Sequence, residues 1–184
     1  MAGKIEIRIA GLGGQGVVLA GVLLGTAAAV YDKKHVVQTQ SYGAEARGGA
    51  ARSEVIISDS PIIYPKVLRP DLFVAMSQTA LDKYIVDLKN NGKLFIDEEL
   101  VTTLPENNFS IYKARFSEAA TQKLKRSIVA NIIMLGFLTS LTEITSAEAI
   151  AEAIRTGVPK GTEELNLKAL DIGREMADKL MQIV

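Results

Sequence analysis

Ile5-Glu6-Ile7-Arg8-Ile9-Ala10 runs straight into Gly11-Leu12-Gly13-Gly14-Gln15-Gly16, and how this stretch is read decides the fold. Its first half alternates apolar and charged side chains, the period of a half-buried strand. Its second half is mostly glycine, and residues 17–31 beyond it are almost entirely apolar or small. Strand, tight glycine turn and helix form the setting in which G-x-G-x-x-G has physical meaning. Glycine lets the backbone turn sharply and come close to a ligand. A helix N-terminus offers N–H groups and partial positive charge to an anion. The same turn also serves plain packing of a helix on a sheet, so nucleotide or phosphate binding and packing both stand at this point.

Outward from that stretch, strands and helices alternate. Residues 36–40 read as a strand, a glycine-rich loop follows, and residues 52–58 read as another strand. Pro61, Pro65 and Pro70 punctuate a turn-rich connection. Residues 72–76 form a short apolar strand, and Ser77 caps a helix to about Lys89, closed by Asn91-Gly92. Residues 93–97 and, more weakly, 110–114 read as strands. Ser117 caps a helix over 118–125, an apolar run spans 128–141, and Thr145-Ser146-Ala147-Glu148 resembles a capping box opening a helix to Arg155. Residues 165–183 carry apolar side chains at helical spacing. The expectation is an α/β fold: a three-layer, Rossmann-like domain with a mostly parallel sheet and a helical C-terminal third, in one domain over 1–184.

Composition removes several function classes. Lys plus Arg equals Asp plus Glu at 21 each, so no net field recruits nucleic acid or a membrane surface. The chain has no Cys, hence no disulfide, no thiolate-ligated cluster and no cysteine nucleophile. One His, His35, leaves no multi-histidine metal site. The apolar runs 17–30 and 128–141 are each 14 residues, short of the ~20 that span a bilayer. The N-terminus does not read as a signal peptide, and a cytoplasmic protein is expected.

A second glycine-rich signal, Ser41-Tyr42-Gly43-Ala44-Glu45-Ala46-Arg47-Gly48-Gly49, sharpens the reading. Together with Gly11-Leu12-Gly13-Gly14-Gln15-Gly16 it resembles the gamma subunit of 2-oxoacid:ferredoxin oxidoreductases, the pyruvate/ketoisovalerate oxidoreductase type. Ala75-Met76-Ser77-Gln78, Asn131-Ile132-Ile133-Met134-Leu135-Gly136 and Glu164-Leu165-Asn166-Leu167-Lys168-Ala169-Leu170 fit the same family, so the resemblance runs nearly end to end. It implies a non-autonomous subunit. The whole enzyme is expected to use thiamine diphosphate, Mg, iron–sulfur clusters and coenzyme A to turn a 2-oxoacid into acyl-CoA while reducing ferredoxin. The implied partners are alpha and beta subunits, in some versions a ferredoxin-like delta subunit, and ferredoxin itself. The chain is compact and carries no fused ferredoxin segment, which favours 2-oxoglutarate; pyruvate, branched-chain 2-oxoacids and indolepyruvate stay open.

The rival reading is a stand-alone nucleotide-binding module. A NAD site needs an acidic residue at the end of the second strand, and that strand ends in Thr39-Gln40-Ser41. Asp32 precedes it and Glu45 lies beyond it, so neither has the expected place. Gln15, at the start of the helix, reaches either a ligand or local backbone. Among Gly43, Gly48 and Gly49, the residues Glu45, Arg47 and Arg52 either pair internally or present a guanidinium to a carboxylate, phosphate or partner. Tyr42 is a packing or a stacking residue. The resemblance implies that this loop faces the catalytic centre of a larger complex, near cofactor or coenzyme A. The candidate ligand or subunit-interface residues are therefore Gly11, Gly13, Gly14, Gln15, Gly16, Ser41, Tyr42, Gly43, Glu45, Arg47, Gly48 and Gly49. No catalytic residue and no metal site is expected within this chain alone. Asn131 reads as a loop-holding core amide, His35 as a surface residue, and Lys123, Lys125 and Arg126 as a solvated helix face. The apolar runs around 17–30 and 128–141 are expected to need cover from a partner, or from a second copy when the chain is isolated.

Overall fold

The computed structural model describes residues 3–41, 50–106 and 109–182. Strand β1 (Ile5–Leu12) is followed by helix α1 (Val17–Thr26), which continues as a π-helical turn over Ala27–Tyr31. Next come β2 (His35–Ser41), β3 (Ala50–Ser58) and β4 (Leu72–Ala75). Helix α2 (Gln78–Tyr84) leads to β5 (Lys93–Asp97) and β6 (Ser110–Ala114). The last third is helical: α3 (Phe116–Leu124), α4 (Ala130–Thr142), α5 (Ala147–Gly157) and α6 (Glu163–Met181).

Among the described residues the sheet has six strands in the order β2-β3-β1-β4-β5-β6. β1, β4, β5 and β6 are parallel, whereas β3 runs antiparallel to both β1 and β2. The sheet is thus mostly parallel, as expected, with one reversed strand. That strand matters. A dinucleotide fold places its second strand parallel and next to the first. Here β3 occupies that place, and β2 is pushed to the edge.

Side chains alternate across the sheet into two cores, the consequence of a period of two. Ile7, Ile9, Val55, Ile57, Leu72, Val74 and Phe95 face the thick layer of α1, α3, α4, α5 and α6. Phe73, Ala75, Leu94 and Ile96 face the thin layer, where Ala80, Leu81 and Tyr84 of α2 cover them. Three layers result, as the sequence predicts.

Most of the two apolar runs is covered inside the chain, with Val22, Val30 and Ile128 left exposed. Helix α1 lies between the sheet and α5: Gly21 sits against the Ser53 side chain on one side, and Gly157 of α5 fits over Leu23 on the other. Ile132, Ile133, Met134, Leu135, Phe137 and Leu138 of α4 are all buried. Gly21 and Gly25 of α1 thus give close approach to the chain's own sheet, at Ser53 of β3 and at Val36 and Gln38 of β2.

Three helix starts and stops differ from expectation, each for a visible reason. α2 stops at Tyr84, not Lys89, and passes into a 3₁₀ turn over Ile85–Asp87, where β-branched side chains are poor helix formers and Asp87 is drawn to Arg8. α3 begins at Phe116, and Ser117 is not its cap; Asp97 of β5 accepts from both the Ser117 backbone N–H and its hydroxyl instead. α5 is capped by Ser146, whose oxygen accepts from the Ala149 N–H, while Thr145 donates to Asp32.

Candidate functional site

The glycine turn closes the C-terminal end of β1. β1 keeps pairing with β3 as far as Leu12, so the ladder extends into the glycine motif itself, with Gly11 opposite Ala51 and Leu12 opposite Ala50. Ser41, the last residue of β2, pairs with Arg52. Ser41 and Ala50, which flank segment 42–49, therefore stand at the same end of the sheet as the first glycine signal. Tyr42, Gly43, Glu45, Arg47, Gly48 and Gly49 lie outside the described residues.

Gln15 is bound internally. Its side-chain oxygen accepts from the Leu12 N–H at 2.6 Å, and its amide donates to the Met76 carbonyl at 2.8 Å. It fastens the turn to the end of β4. Gly11 is required by this arrangement, because a Cβ there would stand 2.5 Å from the Gln15 oxygen and 3.0 Å from Met76. Gly16 has φ +70°, and a Cβ there would strike the Asn131 amide, which donates to the Gly16 carbonyl at 3.0 Å. Asn131 is the loop-holding amide the sequence suggests. Gly14, at φ +91°, has open space around it, and Gly13 is exposed. Two of the glycines are thus spent on packing, while Gly13 and Gly14 remain outward at the helix N-terminus.

Beside the turn lies a cleft of about 240 Å³ lined by Leu12, Gly14, Gly16, Val17, Val18 and Ala51. Its walls are apolar side chains and glycine backbone. Among the described residues every buried side-chain polar atom already has a partner. The cleft can receive an apolar group or a backbone, with polar contacts left to the glycine N–H groups.

Other groups at this end serve the frame. Gln78 accepts from the Thr102 and Thr103 N–H groups, each at 3.0 Å, and so ties the β5–β6 connection to α2. Asp97, fully buried at the end of β5, accepts from the Ser117 hydroxyl at 2.6 Å, the Ser117 N–H at 2.9 Å and the Glu99 N–H at 3.2 Å. Burial pushes its carboxyl above the ordinary value, against those hydrogen bonds.

The sequence reading passed over a charged cluster beneath α2. Arg8, on β1, has a side chain only 3% exposed and pairs with Glu54 of β3 at 2.8 Å and Asp87 at 2.7 Å. Arg8 and Arg52 both lie over the Tyr84 ring, at 5.5 and 5.2 Å, and the Tyr84 hydroxyl donates to the Ala50 carbonyl. Arg52 thus belongs to the stem of the hairpin. The one available signal was a charge in the middle of a strand whose neighbours are isoleucine.

A larger groove, about 630 Å³, lies at the opposite end of the sheet, with Asp32, Lys34, Glu143, Ser146, Arg174 and Asp178 among its lining. Asp32 is committed to structure: it accepts from Thr145 and twice from Ser146, joining the end of the first helical run to the start of α5. Partial burial raises its carboxyl, and these hydrogen bonds outweigh that, so the net shift is downward. His35 is exposed at the start of the edge strand, and Lys123, Lys125 and Arg126 are solvated. Among the described residues no helix is long and apolar enough to cross a membrane.

The family model described as pyruvate ferredoxin/flavodoxin oxidoreductase matches residues 6–176. The chain is 56% identical to the 2-oxoglutarate synthase subunit KorC of Methanocaldococcus jannaschii, over 95% of each chain. Its fold matches the crystal structure of a keto/oxoacid ferredoxin oxidoreductase gamma subunit from Geobacter sulfurreducens with a TM-score of 0.87 at 46% identity, covering 96% of this chain and 97% of that one. The fold alone recurs, at 23% identity and a TM-score of 0.86, across 32% of a longer chain, the 2-oxoglutarate:ferredoxin oxidoreductase of Magnetococcus marinus.

Proposed function

The chain belongs to the pyruvate ferredoxin/flavodoxin oxidoreductase family, and from that premise we propose that it serves as the gamma subunit of a 2-oxoglutarate:ferredoxin oxidoreductase. It is a subunit of a 2-oxoacid oxidoreductase and not an enzyme in its own right. The observation that carries this reading is the end-to-end likeness to a 2-oxoglutarate synthase subunit of nearly the same length. The rival, a stand-alone nucleotide-binding module, loses its support in the geometry. The reversed β3 stands where a dinucleotide fold has its second parallel strand, and Gln15 is turned inward.

The redox groups of such an enzyme do not fit this chain. It has no Cys for a cluster, and among the described residues no group of three or more His or acidic side chains could hold a metal. Thiamine diphosphate, Mg and the iron–sulfur clusters are therefore assigned to the alpha and beta subunits, with a ferredoxin-like delta subunit where present, and ferredoxin takes the electrons. No decarboxylation or electron-transfer step is given to side chains here. The chain's own part is to present one end of its domain to coenzyme A or to the subunit that holds the thiamine, with Gly13 and Gly14 exposed on a turn that Gly11, Gln15 and Gly16 hold in place, and with Ser41 at the same end. A complex of this kind works in the cytoplasm.

Reconstitution tests the proposal. The isolated chain should be colourless and inactive, and adding it to the other subunits should restore 2-oxoglutarate- and coenzyme A-dependent ferredoxin reduction. Arg47→Ala should leave the chain's melting temperature unchanged and raise the KM for coenzyme A by about tenfold, the loss of one charge-assisted contact. Full activity without the chain, or ferredoxin reduction by the chain alone, overturns the subunit reading. Wild-type coenzyme A saturation in Arg47→Ala removes the loop's ligand role.

A further inference from the structure

We propose that the proline-bounded segment 61–70 is the docking surface for a catalytic subunit of the same enzyme, one that offers an apolar pocket edged by carboxylates; this rests on the subunit reading above. The segment joins β3 to β4. Its ends are fixed: the Ser60 N–H binds the Ser58 hydroxyl at 3.1 Å, the Asp71 N–H binds the Glu6 carbonyl at 2.7 Å, and the Lys89 N–H binds the Pro70 carbonyl at 3.2 Å. Val67 and Pro70 are buried and pin the middle and end. Pro61, Pro65 and Pro70 restrict φ along its length.

On that fixed backbone, large apolar side chains point outward. Ile63 is 97% exposed, Leu68 62% and Tyr64 52%. Scattered exposed apolar residues are ordinary. Three within six consecutive positions, on a segment with little conformational freedom left to lose, form a surface suited to association. The apolar helices α1 and α4 do not compete for this role, since the chain covers most of their surface itself.

Charge selects the occupant. The segment carries Lys66 and Arg69 and no acidic residue. Both cations are exposed, and neither makes an ion pair among the described residues. A two-fold contact between copies would set Lys66 and Arg69 of one chain against the same cations of the other, which opposes association. A different chain with carboxylates at its rim meets no such conflict. Position agrees with this. β3 ends and β4 begins at the end of the sheet opposite the glycine turn, so a partner seated here leaves the turn and Ser41 free to face the reacting centre.

The test uses the chain produced together with the thiamine diphosphate-bearing and iron–sulfur-bearing subunits of its own enzyme. Ile63→Ser, Leu68→Ser and the double change Lys66→Glu with Arg69→Glu are compared with wild type by melting temperature and by the dissociation constant for those subunits. The two serine variants should melt as wild type and bind about tenfold or more weakly, the behaviour of interface anchors. Charge reversal should slow association and reduce its sensitivity to added salt. If Leu68→Ser melts lower, Ile63→Ser alone decides, because its side chain has almost no contacts to lose. Variants that bind within twofold of wild type overturn the docking surface and leave the subunit reading intact. A wild-type chain that binds neither subunit overturns both. Self-association of the isolated chain that Ile63→Ser abolishes identifies a second copy as the occupant and overturns the proposal.

Discussion

Gln15 shows how far a single side chain can be read from sequence. A polar residue inside a glycine turn at a helix N-terminus suggests a ligand contact, yet both ends of its amide are used on backbone, the Leu12 N–H and the Met76 carbonyl. The amide works there because it is donor and acceptor at once. Gln15→Ala should lower stability by about 1–2 kcal/mol, the net worth of the hydrogen bonds lost. Gln15→Glu keeps the shape and the acceptor but sets a carboxylate oxygen against the Met76 carbonyl, so it should cost more than alanine, about 2–3 kcal/mol. Denaturant melts at neutral pH would rank the two. A Gln15→Glu protein as stable as wild type would mean the amide is free to turn outward, and the ligand reading would revive.

Among the elements, the pattern of apolar residues was legible and the termini were not. The strands alternate or run apolar as they should, and the long helices carry their period openly. Boundaries failed where a distant group replaced a local one. Asp97 supplies the acceptor expected of Ser117 for α3, and at α5 Asp32 holds both Thr145 and Ser146 while the Ser146 hydroxyl accepts from the Ala149 N–H as the cap. Neither partner is a near neighbour in sequence. The reversal of β3 was hidden for a like reason: residues 52–58 have the composition of any strand, and direction is set by how the chain returns from β2. Helix packing left a fainter trace. Gly136 of α4 faces the Leu170 carbonyl of α6, and Gly173 of α6 faces the Ile133 carbonyl of α4, so the two backbones meet through a reciprocal pair of glycines. Gly136→Ala gains about 1 kcal/mol of helix propensity. It also drives a methyl into backbone that cannot turn aside, and overpacking of this kind costs about 1–3 kcal/mol. The prediction is net destabilisation, greater than that of Gly25→Ala in α1, where the nearest atoms stand 3.5 Å away on side chains. Equal melting temperatures for the two variants would show that α4 and α6 can move apart.

At the scale of the molecule, the sheet separates a thick layer from a thin one, and the thin one is held by charge as well as by apolar packing. Residues 6 and 8 alternate with the isoleucines of β1, which reads as a solvent face; instead both are buried, Arg8 against Tyr84 of α2. Arg8 then joins three elements, pairing with Glu54 of β3, with Asp87 after α2 and with the ring of Tyr84. Because β3 is the reversed strand that leads out of the hairpin, the same cluster ties α2 to the stem of the proposed active-site loop. Two charges left without each other in such a place are costly, while removing both together is not. Arg8→Met should therefore lose about 3–5 kcal/mol, since among the described residues Glu54 keeps only Arg52 at 3.9 Å. Glu54→Leu should lose less, because Arg8 keeps the half-exposed Asp87. Combining the two should cost less than the sum of the single losses by about 1–3 kcal/mol, the signature of groups that act on one another. Equilibrium unfolding of the four proteins measures that difference directly. Additive losses would show that Arg8 holds the thin layer through Asp87 and Tyr84 alone, with β3 and its hairpin uncoupled from α2.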